Sequence, residues 1–196
     1  MYLKLILPAS FLLISLFAFY PQAEENFAEN EFLVVELFTS QGCHSCPPAD
    51  RLLSKLVSEA EAEGKTIFPL SFHVDYWNYL GWKDPYSQSK FSDRQRRYAN
   101  QLGSSVYTPQ MVFNGISETV GSRPERVKRH LKKSVKKLDN SDIRLQAAVD
   151  NNQIQIEYAV SNATNDAILQ IALVERNIVD QIARGENRGK KLIMTM

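Results

Sequence analysis

The chain has 196 residues, 44% of them hydrophobic, and a formal charge of +1, which is enough for one full domain and a small second one. A charge so near zero argues against nucleic acid as a general partner, because that role calls for a strong basic balance. The one strongly basic run, Arg123 to Lys137, carries Val127, Leu131, Val135 and Leu138 at helical spacing. It reads as a surface helix with a solvated basic face rather than a site for anionic lipid or an acidic partner.

In chain order, Lys4 precedes an apolar stretch from Leu5 to Tyr20, after which polarity rises at Gln22, Glu24 and Glu25. The stretch is short for a membrane span and holds Pro8, Ser10 and Ser15, so residues 1–23 read as a signal peptide or N-terminal anchor. Residues 24–31 follow as a polar linker. Export is expected to make the protein periplasmic or secreted, with membrane contact only through this segment if it stays uncleaved. The compartment is one where disulfides persist.

Phe32 to Phe38 is an apolar strand interrupted by Glu36, and Thr39-Ser40-Gln41-Gly42 turns the chain into Cys43-His44-Ser45-Cys46. Pro47-Pro48 suits a helix start, and Leu52, Leu53, Leu56, Val57 and Ala60 form its apolar stripe to about Gly64. A second strand spans Thr66 to Val74. An aromatic loop, Asp75 to Asp84, leads to a helix from about Ser87 to Gln101, with Phe91, Tyr98 and Leu102 inward and Arg94, Arg96 and Arg97 mostly outward. Pro109 opens a strand that ends at Asn114-Gly115, with Thr119-Val120 as its hairpin partner. The basic helix closes this unit, residues 32–139.

From Ser141 the period changes to two. Ile143, Leu145, Ala147 and Val149 alternate, Asp150-Asn151-Asn152 turns, and Ile154, Ile156, Tyr158 and Val160 alternate back. Leu169 to Val174 is expected as a third strand and Arg184 to Gly189 as a tight turn. Residues 140–196 therefore read as a small antiparallel β module.

Chemistry concentrates at the only two cysteines, three positions apart at a helix start. There the helix dipole and unpaired N–H groups favour a thiolate, lowering a thiol pKa from about 8.5 into the range of roughly 3.5–7.5. A zinc site lacks its second ligand pair. A static bridge closing so small a loop restrains the unfolded chain little. Disulfide exchange is the leading reading, with Cys43 as the exposed nucleophile and Cys46 as the deeper resolving thiol. His44, beside the nucleophile, is expected to stabilise its thiolate as a cation.

The order of strand, Cys-x-x-Cys, helix, strand, helix, proline-led hairpin and helix resembles the thioredoxin fold. The blocks VVELFTSQGCHSCPPAD, FHVDYWNYLGWKDP and VYTPQMVFNG are similar to those of a family of secreted bacterial thioredoxin-like proteins of uncharacterised function. The resemblance covers about residues 33 to 190. It implies an α/β, thioredoxin-like fold followed by the small antiparallel β module. It also implies a cis Thr108–Pro109 bond facing the dithiol, with Pro109 governing substrate release and Thr108 beside the substrate strand. Glu36 matches, with an offset of about one residue, the acidic strand residue that relays a proton for the resolving cysteine in thioredoxins; in the other register it turns away. Members of the family continue past the Arg-Gly-Glu-Asn turn with a further strand, so the last edge of the module is expected to be incomplete.

His73 and Asp75 end the second strand at the same edge. With Trp77 and Tyr79, His73 lines a substrate groove or supplies a metal ligand; the plain alternative is a loop whose aromatics cover the sheet edge. The function expected is an extracytoplasmic thiol–disulfide oxidoreductase acting on cysteine-containing proteins and served by a redox-recharging partner, with no cofactor beyond its dithiol. The alternatives are a copper-binding or copper-delivery protein using Cys43, Cys46 and His73, whose soft thiolates and imidazole suit copper, and a non-catalytic binding module.

Overall fold

The computed structural model describes residues 31–134, 136–137, 142–164 and 167–194. The expected signal segment and nearly all of the expected linker lie outside the described residues, as do Val135 and Leu138 of the stripe expected for the basic helix. Among the described residues no helix is long and apolar enough to cross a membrane.

The first strand, β1 (Glu31–Thr39), is the centre of a mixed sheet because its alternating side chains are needed on both faces. It pairs in parallel with β2 (Ile67–His73), Leu33 opposite Ile67 and Thr39 opposite His73, and antiparallel with β3 (Gln110–Phe113). β3 continues into β4 (Ser117–Val120) through Asn114-Gly115, both at positive φ, so the Asn-Gly hairpin forms as read. Asn114 holds the turn down: its Oδ1 accepts from the Val34 N–H at 2.7 Å. The sheet order is β2-β1-β3-β4, with the two-residue β5 (Lys136–Lys137) beside the start of β1.

Helix α1 (Pro47–Ala62) and helix α3 (Pro124–Ser134) cover one face. Leu33, Val35 and Leu37 of β1, Met111 and Phe113 of β3, Ala49, Leu53 and Leu56 of α1 and Val127 of α3 form one buried cluster there. Helix α2 (Ser89–Leu102) lies on the other face, where its Tyr98 and Leu102 pack with Phe38, Val112 and Phe72. The expected inward residues Phe91, Tyr98 and Leu102 are only half-buried, while Ser92, Gln95 and Ala99 are buried. Ser92 and Gln95 are accommodated by hydrogen bonds: Ser92 Oγ to Asp75 Oδ1, and Gln95 Nε2 to the Tyr107 carbonyl. Arg94 is not outward; it folds back onto Glu36. α3 carries its basic residues in solvent, as read.

The C-terminal third is two hairpins, each its own sheet. β6 (Asp142–Asp150) pairs with β7 (Gln153–Ser161), and β8 (Ile178–Gln181) pairs with β9 (Lys191–Met194). The third strand expected over Leu169 to Val174 does not form; that run has no ladder partner, and strand pairing begins later, at Ile178. The mixed α/β class, with a central sheet and small antiparallel hairpins, is as expected.

Candidate active site

Cys43 and Cys46 are joined in a disulfide, Cα to Cα 5.4 Å, at the start of α1, where Cys46 is the N-cap and prolines fill the first turn. Prolines there carry no N–H to leave unsatisfied, so the positive helix end is presented by few donors close to the sulfurs. Facing the pair is Thr108, whose peptide bond to Pro109 is cis. The Thr108 hydroxyl donates to Cys43 Sγ at 3.2 Å, and Ser45 Oγ lies 3.5 Å from the same sulfur. Trp77 closes the third side: its indole N–H donates to Thr108 Oγ1 at 2.7 Å. Gly42 permits this approach, because a Cβ there would come within 3.3 Å of Trp77 Cβ and its carbonyl oxygen.

Cys43 is 2% exposed, which corrects the expectation of an exposed nucleophile. The Arg184–Gly189 turn, joining β8 to β9, crosses the backbone of the dithiol loop. Asn187, fully buried, donates through Nδ2 to the carbonyls of Gln41 at 2.8 Å and Cys43 at 2.9 Å. Glu186 accepts from the His44 main-chain N–H, while the His44 side chain stands in solvent. The hairpin is fixed by Ile182, Leu192 and Met194 against Trp82, Tyr86 and Ile178. Gln41 ties both sides together, its Nε2 donating to Asp180 and its Oε1 accepting from the Trp82 indole.

Beneath the dithiol is a buried ionisable group of residues. Asp50, one helical turn after Cys46, accepts from Thr39 Oγ1 at 2.9 Å; burial pushes its carboxyl up to about 6. His73 Nδ1 and Asp84 Oδ2 are 2.6 Å apart, and His73 Nε2 is buried without a partner among the described residues. Burial works to raise Asp84, but the His73 hydrogen bond and charge and the N–H groups of Gln41 and Tyr86 outweigh it and hold its carboxyl below the usual range.

Glu36 is not the relay. Strand alternation turns it to the α2 face, opposite α1, where Arg94 Nε and Nη2 grip its two oxygens at 2.6 and 2.7 Å and the Tyr98 hydroxyl donates at 2.7 Å. Burial and, after it, that carboxylate push Tyr98 up to about 12. Tyr79 is 77% exposed and reaches none of these groups. His73 does not join the cysteines as a copper set; among the described residues no three His, Cys, Asp or Glu side chains converge to hold a metal ion. The structure thus unites Cys43, Cys46, Thr108, Pro109 and Trp77, sets His73 below them and separates Glu36 and Tyr79. It adds Asp50, Asp84, Gln41, Asn187 and Glu186. Asp50 carried a sequence signal, since its i+4 spacing puts it on the Cys46 face of the helix. Asn187 carried none beyond its turn.

No curated protein matches the chain. A crystal structure of a protein from Agrobacterium tumefaciens, from the Northeast Structural Genomics Consortium, is similar at 36% identity, with a TM-score of 0.49. The match covers 63% of this chain and 54% of that one, so it spans about half the length of that protein. Residues 34–196, well over half of the sequence, match the family described as a protein of unknown function, DUF1223, and the chain belongs to that family.

Proposed function

We propose that the protein is an extracytoplasmic, thioredoxin-like thiol–disulfide oxidoreductase whose substrates are protein cysteines. The observation that carries the reading is the Cys43–Cys46 disulfide at the start of α1, with the Thr108 hydroxyl aimed at the Cys43 sulfur. A redox pair at a positive helix end with a donor on its first sulfur is suited to hold a thiolate, which is both nucleophile and leaving group.

In the proposed cycle the Cys43 thiolate attacks one sulfur of a partner disulfide. A Cys43–partner S–S bond forms, the partner's own S–S bond breaks, and its other sulfur leaves as a thiolate. Cys46, deprotonated, then attacks the Cys43 sulfur and expels the second partner thiolate. The partner gains two electrons from the Cys43–Cys46 pair and takes up two protons from solution, and the site returns to the disulfide. The reverse sequence oxidises a dithiol, and a second thiol–disulfide protein resets the pair. The apolar N-terminal stretch supports placement outside the cytoplasm, where such chemistry operates.

The test is trapping: the reduced Cys46→Ser chain incubated with a disulfide-bearing protein should accumulate a mixed disulfide through Cys43, and the Cys43→Ser chain should not. A two-electron potential between about −120 and −270 mV is expected, the span of known exchange catalysts. Equal adducts from both variants, or a dithiol inert to every disulfide offered, would overturn the reading.

A further inference from the structure

We infer that Trp77 and Thr108 are positioning residues that form a directed hydrogen-bond chain ending on Cys43 and hold its sulfur as a thiolate in the reduced protein. The inference rests on the thiol–disulfide reading above and adds a source of thiolate stability beside the exposed His44.

Direction comes from the chemistry of the groups. An indole N–H only donates, so at 2.7 Å from Trp77 Nε1 the Thr108 oxygen must accept. A hydroxyl has one proton, and with its oxygen engaged from Trp77 that proton is free to point at Cys43 Sγ, 3.2 Å away. Trp77 is not free to swing off. Its backbone meets the side of Gly42 that carries no Cβ, and its ring tilts against Tyr76 with centroids 5.9 Å apart. Accepting from the indole makes the Thr108 hydroxyl a better donor, because hydrogen bonds in a chain polarise one another. A thiolate is the acceptor that gains most, since bonds to an ionised partner are about twice as strong as neutral ones.

Other groups surround the sulfur. Tyr76 also interacts with Thr108, but its hydroxyl donates to Gln95 and burial pushes it up to about 12, so it stays a neutral and weaker acceptor. From α1 come Cys46 and the buried Asp50, whose negative form opposes a thiolate. From the β8–β9 turn come Glu186, on the His44 N–H, and the exposed Arg184 and Arg188. Ser45 Oγ, at 3.5 Å from both Cys43 Sγ and the Thr108 carbonyl, is the more distant second donor. Of these only Tyr76 touches Trp77, and Trp77→Phe keeps an aromatic ring against it, so the chain is separable from the rest.

The experiment titrates the single thiol of the reduced Cys46→Ser chain by its ultraviolet thiolate absorbance. Thr108→Val should cut the thiolate-to-thiol ratio about tenfold at any pH below the midpoint, equivalent to about one pKa unit. Trp77→Phe should shift it the same way by less, and Thr108→Ser should restore it. In the Thr108→Val background Trp77→Phe should do nothing, which a merely structural role for Trp77 would not produce. If Thr108→Val does not fold, Thr108→Ala carries the same comparison. An unmoved titration in Thr108→Val, or a Trp77→Phe effect that persists without the hydroxyl, would overturn the inference. A chain that exchanges disulfides yet shows no shift refutes only this inference. A chain that exchanges with nothing refutes the function while leaving the titration readable.

Discussion

The two C-terminal hairpins invert what their sequences advertise. β6–β7 has the stronger strand pattern: Ile143 faces Val160, Leu145 faces Tyr158, Ala147 faces Ile156 and Val149 faces Ile154, an unbroken apolar face in register. Yet every residue of β7 is exposed, and Val149 is 78% exposed. β8–β9 has four residues in each strand and little alternation, but it buries Ile182, Leu192 and Met194 and delivers Asn187 to the dithiol loop. Local pattern decides whether a strand forms; what it buries depends on where the chain next finds a partner surface. Here the surface is the rim of Trp82 and Tyr86, and the weaker strand signal reaches the site.

The largest effect expected from breaking this contrast is at Ile182, 1% exposed in the docked hairpin. Ile182→Ala should cost about 2–5 kcal/mol by chemical denaturation, the range for emptying a buried aliphatic site. The same variant should make the Cys43–Cys46 disulfide more readily reducible by a small phosphine, because Asn187 loses its support. A cost under about 1 kcal/mol, the level of an ordinary partly exposed position, would show that the hairpin is not docked.

How much of this was legible follows from which forces are local. The β1–turn–dithiol–α1 run, β2 and the Asn-Gly hairpin rest on period, proline and glycine placement, and they form where the sequence puts them; the basic helix does so only to Ser134, and Lys136–Lys137, expected in it, pair with β1 as β5 instead. Glu36 was legible as a carboxylate needing a partner, but not the partner. Arg94 stands three residues after Phe91 and four before Tyr98, so helical spacing puts it on their flank of α2; its charge alone suggested an outward side chain, and its length lets the guanidinium reach β1. The Asp50, His73 and Asp84 group joins α1, β2 and a loop, so no window contains it. Asn187 lies 144 residues from the carbonyl of Cys43 that it binds, and a turn residue gives no sign of such a target.

Asp50 sharpens the comparison from the inside of the site. Folding raises its pKa from 3.8 to about 6 through burial, so between about pH 4 and 6 the folded chain keeps a proton that the unfolded chain has lost. Stability contributed by protonated Asp50 is therefore fully present below that window and lost as the pH rises through it. Asp50→Asn, which still accepts from Thr39, should leave stability unchanged near pH 4 and raise it by about 3 kcal/mol at pH 8. A flat difference across the window would remove Asp50 as a buried acid. Asn187→Ala follows, costing about 1–2 kcal/mol by leaving the buried Gln41 and Cys43 carbonyls without their amide donor. Asn187→Asp should be no milder, because a carboxylate cannot donate to either carbonyl. Full stability in both would mean that the turn does not hold the dithiol loop.

The smallest effect belongs to β6–β7. Its apolar side chains are cross-strand neighbours but, among the described residues, rest on no second layer, and a two-stranded hairpin alone is marginal in water. Leu145, 51% exposed, and Tyr158, 57% exposed, sit opposite each other at the middle of that face. Replacing either with glutamine removes one cross-strand apolar pair and no buried area against the body. Each should therefore change global stability by less than about 0.5 kcal/mol, the usual range at the surface, while lowering the binding of a fluorescent apolar dye, because an exposed apolar patch of this extent is what such dyes seek. Thermal denaturation and dye titration on the same samples read both. A loss above about 1 kcal/mol at Leu145 or Tyr158 would mean that the face is covered in solution, and the contrast between the two hairpins would then be one of partner rather than of burial.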